Sequence, residues 1–84
     1  MTFDNEYKNI PENIQASILR YVEHRIKPGG FLTAVLNNDL YNATGRADSE
    51  SLKYLHLIVM WFANKCPNLY GPENFKNHLN SRIV

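Results

Sequence analysis

The segment KPGGFLT, residues 27–33, brings together a lysine, two glycines and a threonine hydroxyl. Those are the parts of a small anion site. The first turn of a helix carries backbone N–H groups without intrahelical partners, and the peptide dipoles add partial positive charge there. A glycine leaves that backbone open to a phosphate, because no Cβ stands in the way. In such a site Lys27 supplies mobile charge, Gly29 and Gly30 the approach, and Thr33 a first-turn hydroxyl, with Phe31 between them as the apolar member of the set. The same residues also suit a plain corner between two helices with a glycine cap. Both readings stand at this level.

Other chemistry is sparse. His24, His56 and His78 lie apart with no partner at ligand spacing, so no metal site is expected. Cys66 is a lone thiol before Pro67 and reads as a small apolar residue rather than a nucleophile. No Gly-x-x-x-x-Gly-Lys phosphate loop occurs, and neither a catalytic residue nor a cofactor is expected. Tyr7 differs from the other aromatics because its neighbours are polar; it can stack on a base or anchor the N-terminal segment to the fold. Arg20, Arg25, Arg46 and Arg82 read as solvated or ion-paired arginines.

The elements that must position these residues are helical. Residues 1–8 read as an N-terminal arm, and residues 9–84 as a single helical domain. Asn9 is placed to cap a first helix, with Pro11 in its first turn and Glu12 three positions on. Ile14, Ile18, Tyr21, Val22 and Ile26 follow at three- and four-residue steps, and Pro28 should end the helix. A second helix is expected to start at the glycines, with Leu32, Val35, Leu36, Leu40 and Ala43 as its stripe and Gly45 as its terminator. Asn37, Asn38, Asp39 and Asn42 are mediocre helix formers, so packing must support this segment. Asp48 should cap a third helix running to about Lys65. From Tyr54 to Ala63 only His56 is clearly polar, and Leu57, Met60 and Trp61 occupy sides that one neighbouring helix cannot cover. That helix is either the central element or meets another subunit. Pro72 opens a fourth, with Phe75, Leu79 and Ile83 as its buried edge. The spacing thus predicts an all-α fold, a compact bundle of about four short helices, in an oligomer.

Bulk properties bound the function. A chain of 84 residues that is 44% apolar makes one domain with a thin core. Chains of this size often gain stability by oligomerising. The single cysteine excludes an intrachain disulfide, and with no signal peptide it sets the expectation of a reducing, cytosolic setting. The longest apolar run, residues 57–63, is too short to span a bilayer. A formal net charge of +1 argues against neutralising many phosphates of a long nucleic acid, though not against holding one small anion. A helix-turn-helix reading of the second and third helices would make SLKYLHLIVMWFANK the recognition helix, which is too apolar to read a groove.

Taken together, IPENIQASILRYVEHRIKPGGFLTAVLNNDL, the following GRAD, the apolar helix and the Gly-Pro-Glu start of the last helix resemble a family of short phage proteins. These are the anti-CBASS sponges, which bind and sequester cyclic oligonucleotide signals of bacterial immunity. The resemblance covers roughly residues 10–84. It implies an all-helical protomer assembled as a compact homohexamer in the host cytoplasm, without catalysis. It implies cyclic dinucleotides in pockets between paired subunits and cyclic trinucleotides in separate pockets on threefold axes. Lys27 and the glycine-bearing turn carry over as ligand contacts. Tyr7 carries over as the base-stacking tyrosine near the N-terminus, and Thr33 and Arg82 as further phosphate contacts. The rival classes are a helical protein–protein adaptor and a weak DNA-binding regulator of phage origin.

Overall fold

The computed structural model describes residues 3–81, and every regular element among them is helical. Six α-helices follow in order: α1 Glu12–His24, α2 Gly30–Leu36, α3 Leu40–Arg46, α4 Ser49–Lys53, α5 Leu55–Lys65 and α6 Pro72–Asn80, with a 3-10 turn at Pro67–Leu69 before α6. The all-α expectation holds. The expected count of about four does not, because two of the expected helices are each broken in two.

The first helix starts and stops differently from its sequence signals. Pro11, not Asn9, precedes it, and residues 7–10 form a turn in which the Ile10 N–H reaches Tyr7 O at 3.0 Å. Gln15 Nε2 then donates back to Ile10 O at 2.7 Å. At the other end Arg25 takes the left-handed conformation (φ 55) and donates to Tyr21 O, so the helix closes before Pro28 is reached.

The break after α2 matters most. Asn38 adopts φ 59, a region that asparagine tolerates better than most residues. Asn37 Nδ2 donates to Thr33 O at 2.7 Å. Asp39 caps α3 by accepting from Asn42 N at 3.2 Å and from Asn42 Nδ2 at 2.6 Å. Short polar side chains here compete with the helical ladder and win. The chain turns back, α3 packs against α2, and Gly45 lies inside α3 instead of ending a long helix. Asp48 caps α4 as expected, accepting from Ser51 N at 2.7 Å. Tyr54, at φ −103 and ψ 9, then separates α4 from α5.

The core centres on Tyr21 and α5. The Tyr21 ring stacks on Phe75 at 5.5 Å and meets Phe62 and His78 edge-on. Its hydroxyl donates to Leu69 O at 2.7 Å, and His78 Nε2–H donates to Tyr21 O at 2.8 Å. These contacts join α1, α5, α6 and the 3-10 turn. Gly71 N donates to Leu36 O at 2.9 Å and ties the end of α2 to the start of α6; its φ of 102 requires glycine.

On α5, Ile58, Trp61 and Phe62 are fully buried. Of the two alternatives for this segment, the structure places it as the central element. Trp61 is covered from within the chain, because Phe3 of the arm stacks on it at 4.9 Å. An ion pair between Lys65 and Asp4 fastens the same arm. Among the described residues, the large apolar side chains left exposed lie on α3 and α4: Leu40 (66%), Tyr41 (89%) and Leu52 (42%).

Candidate functional site

Folding α3 back on α2 creates an open groove of about 460 Å³ beside the glycine turn. Lys27, Gly30 and Thr33 line it from one wall, and Asp39, Asn42 and Arg46 from the other. The first wall is fixed by Pro28, which is buried, and by Thr33 Oγ1, which donates to Pro28 O at 3.1 Å. Lys27 precedes that anchor and is exposed. The second wall is one face of α3, since the cap residue and the positions three and seven further on share a side of a helix. Asn37 completes the rim.

Arg46 is the residue that sequence reasoning missed. A Cβ built on Gly30 would lie 3.0 Å from Arg46 Nη1 and 3.1 Å from Arg46 Cδ, whereas one on Gly29 would meet nothing within 4 Å. The second glycine therefore makes a seat for the arginine. In an unbroken helix residues 30 and 46 would lie roughly 24 Å apart, at about 1.5 Å per residue, so the break at Asn38 is what brings them together. The one sequence signal for Arg46 is the Asp39, Asn42, Arg46 spacing, and it becomes legible only once α3 is known to start at Leu40.

Two cations thus face one groove. Among the described residues, no carboxylate lies within ion-pair distance of the Lys27 ammonium or the Arg46 guanidinium. Asp39 stays ionised: hydrogen bonds from the Asn42 side chain and backbone, with the Arg46 charge adding to them, hold its carboxyl below the usual range. The α2 helix is only seven residues long, so the positive field of the groove comes from these side chains more than from a helix dipole. No histidine or cysteine lines the groove.

The remaining expected site residues are dispersed. Gly29 and Phe31 line a second groove of about 350 Å³ on the other side of the glycine turn, with Asn13, Ser17, Arg20 and Ser51; Gly30 borders both grooves. Tyr7 is corrected from a stacking candidate to a core anchor. Its ring is 2% exposed, packed in the hydrophobic core, and its hydroxyl accepts from Asn64 Nδ2 at 2.8 Å. It lines neither groove. The polar neighbours that singled it out in the sequence face solvent while the ring turns inward. Arg82 and Ile83 lie outside the described residues.

Cys66 is half-buried, and burial pushes its thiol from 9.0 up to about 11, which suits an inert side chain. Leu55–Lys65 buries Ile58, Trp61 and Phe62 in the middle of the fold and exposes His56, Ala63, Asn64 and Lys65. No helix of the described chain is long and apolar enough to cross a membrane. No family model, no curated protein and no solved structure matches the chain.

Proposed function

We propose that the protein binds and sequesters small cyclic nucleotides without cutting them, acting as a sponge for the cyclic di- and trinucleotide signals of antiphage immunity. The observation that carries this reading is the convergence of Lys27 and Arg46 on one groove that Gly30 leaves open. A groove of this size suits part of a nucleotide-sized ligand. Two cations supply charge for a phosphate; the Asn37 and Asn42 amides, each with one Nδ2 hydrogen already donated within the protein, keep a second N–H and an oxygen for what surrounds it, and Thr33 Oγ1, whose proton goes to Pro28 O, can still accept. Because the groove is open, one protomer covers only part of a ligand. A cyclic dinucleotide has near-twofold symmetry, and a twofold pair of subunits presents the same groove twice. A trinucleotide would need a separate site, and the second groove, lined by Arg20, Gly29 and Phe31, offers one.

Holding rather than cutting is consistent with the groove's side chains. Among the described residues Asp39 is its one carboxylate, and an acid kept below the usual range is a weak base. The homohexamer and the host cytoplasm belong to the same proposal; exposed Leu40, Tyr41 and Leu52 provide apolar surface for subunit contacts.

Calorimetry against a panel of cyclic di- and trinucleotides tests the reading. A charge-assisted hydrogen bond to phosphate is worth roughly 1.5–3 kcal/mol, and a twofold site loses it twice. Lys27→Ala should therefore weaken cyclic dinucleotide binding by at least about a hundredfold, at 1.4 kcal/mol per decade. Released ligand should be recovered intact. Unchanged affinity in Lys27→Ala would refute the anion site, and linear product would point to a phosphodiesterase.

The exposed apolar side chains of α3 and α4 favour a second reading, a helical protein–protein adaptor. An adaptor would be a monomer or dimer by light scattering and would bind no cyclic nucleotide.

A further inference from the structure

The groove contains a charge that an anion site does not need. Asp39 stands on the same wall as Arg46 and faces the same space as Lys27. Both of its oxygens are engaged, one by Asn42 N at 3.2 Å and the other by Asn42 Nδ2 at 2.6 Å, so the carboxylate is held at the groove and does not swing away. Capping α3 does not require the charge, because asparagine caps a helix about as well as aspartate. With Lys27 and Arg46 against one carboxylate, the described residues of the groove carry a single net positive charge.

We infer that Asp39 sets the charge state of the phosphate the groove accepts, favouring a phosphodiester over a terminal phosphomonoester. A phosphodiester carries one negative charge and matches the groove. A phosphomonoester carries close to two at neutral pH and meets the carboxylate with the excess. Asp39 is thus a specificity residue: it favours closed rings, whose phosphates are all diesters, over their ring-opened products and over ordinary mononucleotides. This rests on the cyclic-nucleotide reading above and adds to it the means of rejecting the abundant monoesters of a cell.

The test compares cyclic diadenosine monophosphate with its ring-opened form, the linear 5′-phosphorylated diadenylate, by calorimetry on the parent protein and on Asp39→Asn. Both ligands carry the same two bases. Coulomb energy is linear in charge, so removing the carboxylate helps a dianion more than a monoanion. A unit charge across a water-exposed groove is worth about threefold in affinity. The parent should prefer the ring. Asp39→Asn should bind both ligands more tightly, the linear one by the larger factor, so that the preference narrows about threefold. The melting temperature should stay close to the parent's, since the cap is kept. A purely structural role for Asp39 would shift both affinities alike. If the ring binds and the preference is the same in both proteins, the charge-selection role is wrong while the cyclic-nucleotide reading stands. If the parent binds neither ligand, both fall together.

Discussion

Gly30 and Gly29 are adjacent and chemically identical, yet their replacement by alanine should have opposite consequences. At Gly30 a Cβ would sit 3.0 Å from Arg46 Nη1 and 3.1 Å from Arg46 Cδ, closer than ordinary van der Waals contact, so the arginine must yield by a few tenths of an ångström. The backbone gains: Gly30 is the first residue of α2, and alanine in a helix is favoured over glycine by up to about 1 kcal/mol. At Gly29 a Cβ meets nothing within 4 Å, but Gly29 is the N-cap, where alanine is a poorer cap than glycine by roughly 0.5 kcal/mol. Gly30→Ala should therefore melt at or slightly above the parent and bind cyclic dinucleotide about tenfold more weakly, about 1.4 kcal/mol over the two grooves of a twofold site, because the displaced guanidinium weakens its hydrogen bonds of roughly 1.5–3 kcal/mol each without losing them. Gly29→Ala should melt a few degrees lower, at about 4–8 °C per kcal/mol for a domain of this size, and bind within about twofold of the parent. Melting curves and calorimetry on the two variants separate the explanations. Weak binding in Gly29→Ala together with normal binding in Gly30→Ala would show that the glycines serve phosphate approach at the helix mouth, and would refute the assignment of Gly30 as the arginine's seat.

Tyr7→Leu removes the ring from the core and its hydroxyl from Asn64, at a cost of about 2–3 kcal/mol; the melting temperature should fall by at least about 8 °C. Ligand affinity measured well below that melt should stay within about twofold of the parent, and a large loss would restore Tyr7 to the binding site. Alkaline stability should fall as buried or half-buried acids ionise: burial raises the Cys66 thiol from 9.0 to about 11 and the Tyr21 phenol from 10.0 to about 12, with the Cys66 charge adding to the latter, and it raises the Tyr70 phenol as well. All three fold best in the protonated form, so their contribution is complete below about pH 9 and is lost as pH rises through the folded values. The urea midpoint should accordingly fall between about pH 9 and 12, and Cys66→Ala should move the onset about one unit higher; a midpoint indifferent to pH across that window would overturn these assignments.

Local signals in the chain were enough for what depends on neighbours. Asp48 as a cap, Pro72 as a helix opener and the inward Ile14, Ile18 and Tyr21 of α1 follow from short-range rules, because a cap or a stripe involves residues only three or four positions apart. The turn at Lys27–Gly30 and its candidate residues were also legible, as was the weakness of Asn37, Asn38 and Asp39 as helix formers. Whether that weakness breaks the helix was not legible. A left-handed Asn38 and an Asp39 cap compete with an unbroken ladder by about 1 kcal/mol, and packing of α3 against α2 decides the outcome. That decision turned Gly45 from a terminator into a helical residue and carried Arg46 to Gly30. Tyr7 shows the same limit from the other side. Polar neighbours along the chain describe where the backbone runs, but only the contact with Asn64, 57 positions away, and packing in the assembled core settle which way the ring points.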